Sequence, residues 1–466
     1  MNGSNQRPLH SVRKPKAVLR KIPKPKKQRW LWLVAGLAGV ALVSATAGAL
    51  LAMSFASTPL MQRELSPEQA SVFSKGDRIS KNNSLQLPEL TRPVNILVLG
   101  LKVLTSDVQE PPNHLKKLPY HALVNSFDGL TDTMLLLRFN PEAKKLVALS
   151  IPRDTRTQIP GYGVAKINEA NADGGPALSA RATSELLGGV GVDRYVSINV
   201  QGVQALVDAL GGVTVFVPKD MKYKDESQHL YVNLKAGKQH LNGDQALQLL
   251  RFRYDEYGDI GRIQRQQLVM RALMEQALSP ATLARLPQIL STIQTHIDTN
   301  LSVEELVALV GFAARTSRSQ MQMLMVPGSF SQPNEYNGVS YWLPNPQRIQ
   351  TLMAQHFNFG TDSTEALANA ARIVIQDSTR QLNAASAVSR KLEQAGYGNV
   401  SLTKPSREPL QVTRIVAQQG DVAGAEAIRR SLGFGEVRIE STGELDSDVT
   451  IQIGQDWTRM QSQPSQ

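Results

Sequence analysis

Apolar residues fall into three patterns along the chain. The first is one unbroken stretch from Trp30 to Ala56, with no charged residue between Arg29 and Arg63. About 20 apolar residues at roughly 1.5 Å rise cross a hydrocarbon core, so a transmembrane helix is expected over 30–56, with Trp30 and Trp32 at a membrane interface. A cleaved signal peptide, with Ala45-Thr46-Ala47 as its small-residue site, is the alternative; the stretch exceeds the usual apolar region of about 7 to 15 residues, which favours the span. The second pattern is short β-branched runs that end at turns: Val94 to Gly100, Met134 to Phe139, Leu146 to Ile151, Tyr195 to Val200, Val213 to Val217 and Met321 to Val326. These read as strands buried in an α/β sheet. Asn140 to Lys145 is turn-like and makes its flanking runs a hairpin or neighbours. The third pattern is helical spacing at Gln201 to Leu210, Arg262 to Leu278 and Val303 to Thr316.

Polar, mixed sequence over 57–93 reads as a tether, and alternating strands and helices over 94–327 as one layered α/β domain. Residues 328–370 carry Pro333, Asn334, Pro344 and Pro346 and read as a covering loop and linker. Over 371–457 a strand, helix, strand series occurs twice: Arg372 to Ile375, Leu382 to Glu393 and Asn399 to Leu402, then Val412 to Val416, Glu426 to Leu432 and Glu436 to Ile439. With a last strand at Val449 to Ile453, this predicts a small α+β domain of two βαβ units on a ferredoxin-like sheet.

Charge changes the picture only at one end. The net charge is +11, and ten basic residues with no acidic one lie within 1–29, which leaves +1 for the rest. A DNA-coating domain is therefore excluded, and no nucleic acid is expected as a partner. A basic tail before an apolar span places residues 1–29 in the cytoplasm by the positive-inside rule, with affinity for anionic lipid headgroups. The expectation is a single-pass protein of the plasma (inner) membrane with its main domain extracytoplasmic. There are no cysteines, hence no disulfides or thiolate chemistry.

Candidate chemistry narrows by elimination. No Walker-type loop, G-x-S-x-G elbow, dinucleotide fingerprint or H-E-x-x-H occurs, and the seven histidines lack metal-ligand spacing. What remains is arginines with acidic and amide partners. In Ser150-Ile151-Pro152-Arg153-Asp154-Thr155, Pro152 ends a strand and offers Arg153 and Asp154 beyond its carboxyl end, where open α/β sheets bind ligands. A surface pair that caps the loop is the competing reading. Arg251 and Arg253 share a face if the backbone there is extended, with Phe252 opposite. Asp259, Arg262 and Gln266 fall on one helix stripe, with Gly261 permitting close approach. Converging guanidinium groups need an anion, and their forks match phosphate oxygens, so a diphosphate suits them; a solvated basic helix face is the alternative. Asp132, just before a strand, is either a candidate ligand for a hard cation such as Mg2+ or a strand-start cap.

The order of these motifs, a buried strand ending in Gly100, then D-T-M, S-I-P-R-D-T, K-I-N, and an arginine pair followed by D-x-x-G-R-x-x-R-Q, resembles the LytR-CpsA-Psr family over about 94–327. Lys166 to Ala170 and Leu241 to Leu247 are further landmarks, and 371–457 looks like the LytR C-terminal domain. The resemblance implies a three-layer α/β/α sandwich that binds a polyprenyl pyrophosphate lipid in an apolar cavity. It also implies a transferase that moves a glycan phosphate from that carrier to a peptidoglycan hydroxyl and releases polyprenyl phosphate. Carried over by motif, Arg153, Arg251, Arg253, Arg262 and Gln266 meet the pyrophosphate and Asp132 is a metal ligand. Arg153 and Arg262 would stabilise charge as the hydroxyl attacks, and Asp154 would orient Arg153 or take a proton. One position departs: the family commonly has an Asp two residues after the strand-ending glycine, a second metal ligand, where this chain has Lys102. Asp107 replaces that ligand, or the Lys102 ammonium replaces the metal's charge. That departure favours the alternative of a non-catalytic lipid or glycan-binding module; a transcriptional attenuator is disfavoured, because only the 29-residue tail would reach DNA.

Overall fold

A computed structural model of the chain describes residues 64–461, apart from 74–77, 82–87, 102–126, 226–229, 253–257, 278–279, 318–319, 333, 360–370, 380, 382, 407 and 419. The expected span over 30–56 lies outside these residues, and among them no helix is long and apolar enough to cross a membrane.

Period-two alternation in the first long strand decides the layering. In β1 (Val94–Leu101), Leu97 and Leu99 enter one apolar cluster while Val94 and Ile96 enter another on the opposite face. With β2 (Thr131–Asn140), β3 (Lys145–Ile151), β4 (Arg194–Ile198), β5 (Ile297–Thr299) and β6 (Met321–Met325), β1 forms a six-stranded mixed sheet in the order β5-β4-β1-β2-β3-β6. The β2–β3 hairpin is antiparallel, with Met134 opposite Ile151, and β6 joins β3 in parallel as the edge strand. On one face packs the kinked helix α1 (Glu169–Leu186); on the other packs α5 (Val303–Arg315) through Leu309 and Phe312. A neighbouring core joins α2 (Val200–Ala209), α3 (Gly243–Arg251) and α4 (Gly258–Ala277). Both faces of the sheet are covered, as a three-layer α/β arrangement requires.

Two boundaries move. The tether expected over 57–93 is in part domain structure: Phe73 is buried against Tyr195, their ring centres 5.2 Å apart, and Ile79 is fully buried. Nor does the domain end at Pro327. Trp342 is 1% exposed and bridges Thr155, and α6 (Pro346–Phe357) inserts Ile349, Leu352, Met353 and Phe357 into the α1-side core. Pro346 belongs to a helix start, in the first turn after Asn345, the N-cap, which accepts from the Arg348 amide. At Asn345 and Pro346, what suggested a loop is capping chemistry, while Pro344 ends the strand Trp342–Pro344.

The C-terminal domain holds β7 (Ile373–Asp377), α7 (Ala384–Gln394), β8 (Val400–Leu402), β9 (Arg414–Ala417), α8 (Val422–Leu432), β10 (Glu436–Arg438) and β11 (Val449–Ile453). Two parallel βαβ units form as expected, but the sheet is not ferredoxin-like. Its order is β8-β7-β11-β9-β10, with β11 inserted between the units, parallel to β7 and antiparallel to β9.

Candidate functional site

Three loops meet at the carboxyl end of β3. Its last residue is Ile151, and Pro152 then starts a tight turn in which both the amide and the hydroxyl of Thr155 donate to the Pro152 carbonyl, at 3.0 and 2.6 Å. Arg153 and Asp154 project from that turn. Asp132 arrives from the neighbouring strand through a bulge: the register passes from Gly100 opposite Thr133 to Leu101 opposite Thr131, so Asp132 has no cross-strand partner. A bulge re-aims the extra residue, here into the site. The segment Lys166 to Asn171 staples both loops. The Asn168 amide donates to the Arg153 carbonyl, the Asn168 carbonyl accepts from the Thr131 amide, and the Asn171 side chain donates to the carbonyls of Phe127 and Gly129.

The charges interlock. One carboxylate oxygen of Asp132 accepts from Arg153 at 2.8 Å and the other pairs with Arg262 at 2.7 Å. Arg153 also meets Asp154 at 3.1 Å, and Asp154 holds Lys166 at 2.8 Å. Gln266, one turn after Arg262 on α4, donates to the Asp132 backbone carbonyl at 3.2 Å. The Arg262 side chain is only 8% exposed, which rules out a solvated basic face there. Among the described side chains, Arg153, Arg262 and Lys166 thus converge on Asp132 and Asp154.

Behind this cluster opens a pocket whose walls turn apolar: Met134, Leu135, Ile151, Met270, Met323 and Leu324. Arg153, Asp154, Arg262 and Gln266 line its charged end. Guanidinium groups thus stand beside an apolar lining, with about 30 Å³ of open interior between them in this structure.

A family model described as the LytR_cpsA_psr family matches residues 63–358. The chain belongs to the LytR-CpsA-Psr family. A second model, LytR cell envelope-related transcriptional attenuator, matches residues 370–457. Similar curated proteins include the Bacillus cereus polyisoprenyl-teichoic acid–peptidoglycan teichoic acid transferase TagU, 32% identical over 60% of this chain and 82% of that protein. The Bacillus subtilis protein of the same description, TagV, is 26% identical over 64% of this chain and 73% of its own. The crystal structure of B. subtilis TagV covers 58% of this chain and 99% of its own, at 25% identity and a TM-score of 0.48.

The LytR-CpsA-Psr arginine pair is only partly placed. Arg251 is half-buried and ends α3, so the condition of an extended backbone is not met there; Phe252 follows it, extended and buried. Arg251 does not line the pocket around Asp132. Arg253, the Asp259 side chain, Lys102 and Asp107 lie outside the described residues. Sequence reasoning passed over Arg265 and Lys166. Arg265 is buried, donates to the Phe252 carbonyl at 2.5 Å and lies 5.4 Å over the Phe252 ring, tying α4 to the end of α3. Its spacing of three from Arg262 was the available signal. The Lys166 signal lay in the K-I-N landmark.

For Mg2+ the described donor set does not fit by itself. Both Asp132 oxygens are held by guanidinium groups, and no group of three His, Asp or Glu side chains that could hold a metal forms among the described residues. The second Asp of the family pattern is Lys102 here.

Proposed function

We propose that this chain is a membrane-anchored transferase that moves a glycan phosphate from a polyprenyl pyrophosphate carrier to a peptidoglycan hydroxyl. The observation that carries the reading is the convergence of Arg153 and Arg262 on Asp132 at the mouth of a methionine-lined pocket. The Asp132 carboxylate holds the two guanidinium groups in the spacing a phosphate needs, and the pyrophosphate takes over their outer donors when it binds. As the acceptor hydroxyl attacks the phosphorus that carries the glycan, these guanidinium groups neutralise the added negative charge, the bond to the departing phosphate oxygen breaks, and polyprenyl phosphate leaves with the hydroxyl proton. Asp154, fixed between Arg153 and Lys166, orients Arg153; it is already committed to two cations, which disfavours it as the proton acceptor. Gln266 fixes the Asp132 loop. By motif, Arg251 and Arg253 are further pyrophosphate-binding candidates.

The names of TagU and TagV, transferases of polyisoprenyl-linked teichoic acid to peptidoglycan, support the substrate class. The apolar stretch 30–56 after a basic tail supports a single-pass plasma-membrane anchor with the catalytic domain outside. A non-catalytic carrier is the second reading, favoured by Lys102 at the usual Asp position. Release of polyprenyl phosphate separates the two. The full chain, incubated with a polyprenyl pyrophosphate-linked saccharide and peptidoglycan, is expected to release it in Mg2+ and also in EDTA, since Arg153 and Arg262 supply positive charge. Tight lipid binding with no release establishes the carrier, and release only with Mg2+ restores a metal to the mechanism.

A further inference from the structure

The C-terminal domain reaches into the candidate site. After β10 the chain does not turn away from the main domain. The Met323 amide of β6, at the open edge of the main sheet, donates to the Ile439 carbonyl at 2.9 Å. Glu440 pairs with Arg271 of α4 at 2.9 Å, and Gln264 of α4 donates to the Gly443 carbonyl at 3.1 Å. Leu445 is buried with Met325 and Trp342. The stretch 439–445 therefore runs along α4 from the level of Arg271 to that of Gln264, about 10 Å of helix at 1.5 Å per residue. It fills the gap between α4 and the sheet edge, and Ser441 and Thr442 line the pocket there. Gly443 fixes the path, because a Cβ at that position would collide with Gln418 and Thr450.

This wall's polarity is turned elsewhere. Ser441 donates to the Gln418 carbonyl at 3.0 Å, Thr442 donates to Glu440 at 3.2 Å, and Glu440 is held by Arg271 and Arg438. No carboxylate from this loop lines the pocket to repel a phosphate, and no cation from it binds one. The small side chains it presents share the pocket lining with Met270, Met323 and Leu324.

We propose that the C-terminal domain is the side wall of the lipid channel: Ser441 and Thr442 contact the isoprenoid chain of the carrier, not its pyrophosphate, and set the width available to it. This rests on the pocket taking a polyprenyl pyrophosphate. Bulk at position 442 then narrows the path of a long chain while the arginine mouth is untouched. The test is direct binding to the full chain of two probes, dimethylallyl pyrophosphate and a long-chain polyprenyl pyrophosphate, for wild type, Thr442→Trp and, as the milder variant, Thr442→Leu. The ratio of the two affinities is expected to fall by about tenfold or more in Thr442→Trp, with Thr442→Leu between, because a mismatch of even one methylene in an apolar pocket changes discrimination by such factors. Wild type that binds both probes, with variants that keep the same ratio, overturns the wall and leaves the transferase reading standing. Wild type that binds neither probe overturns the proposed function and this inference with it.

Discussion

Asp132→Asn isolates the electrostatics of the site. The substitution keeps shape and one acceptor oxygen but removes the charge that Arg153 and Arg262 share at 2.8 and 2.7 Å. Two guanidinium groups then face each other without that carboxylate, and one of them is 8% exposed. Breaking a fully buried pair costs about 3–5 kcal/mol. Here Asp132 is 24% and Arg153 20% exposed, so screening reduces the expected cost to about 2 kcal/mol, a fall in Tm of roughly 2–6 °C. An anion supplies the missing charge. At saturation of about 100 times Kd a ligand adds about 2.7 kcal/mol to any binding-competent protein, and in the variant it also relieves the repulsion. Thermal melts with and without inorganic pyrophosphate should therefore show an unliganded variant below wild type and a larger pyrophosphate shift in the variant. Equal Tm values and equal shifts would refute the claim that Asp132 holds the two arginines apart for an anion.

Three further outcomes follow from the packing. A chain ending at Pro327 should aggregate, since it loses Trp342 and α6; Trp342→Ala alone is expected to cost about 3–5 kcal/mol by chemical denaturation, and a soluble, cooperative 327-residue chain would contradict the boundary drawn here. His356, on α6, meets Gln322 at 2.8 Å and the Gly420 carbonyl at 3.1 Å; burial lowers its pKa below the ordinary 6.5, with Lys145 adding to this and the Gly420 bond opposing it. A depressed folded pKa gives stability that is present above pH 6.5 and lost as pH falls through the folded value, so Tm should drop below pH 6.5 in wild type and less in His356→Gln. Glu440 behaves in the same sense at lower pH: burial raises its carboxyl, but Arg271, Arg438 and Arg414 together outweigh it and hold it below the ordinary 4.5. Contact between 439–445 and α4 should thus weaken as pH drops below that value, read as faster hydrogen exchange at Gly443 and Glu444 than in the same segment at neutral pH.

Much of the fold was legible because its signals are local. Val449–Ile453 matched to the residue, the β2–β3 hairpin followed from its turn, and Arg153 and Asp154 lay where a proline-ended strand presents them. What was illegible is tertiary. No periodicity announces that β11 inserts between two βαβ units, since its partners lie in both. The bulge that frees Asp132 depends on the register against Gly100, and Lys166 matters only because the turn at Pro152 comes back to it. The backbone at Arg251 is left open by the sequence, since an extended path is only one condition for a shared face, whereas the capping box at Asn242 and Gln245 starts a helix that runs to that residue. The helix at 346–357 was hidden by prolines, although Asn345 before Pro346 is a start signal.

The most direct test of the account is turnover by Arg262→Ala and Arg153→Ala, measured as polyprenyl phosphate released from a polyprenyl pyrophosphate-linked saccharide, with binding of the same lipid followed in parallel. Loss of one charge-stabilising donor is expected to slow release by about 100-fold or more while the apolar pocket still holds the lipid. Release at the wild-type rate in both variants would contradict the assignment of these arginines to the transferring phosphate.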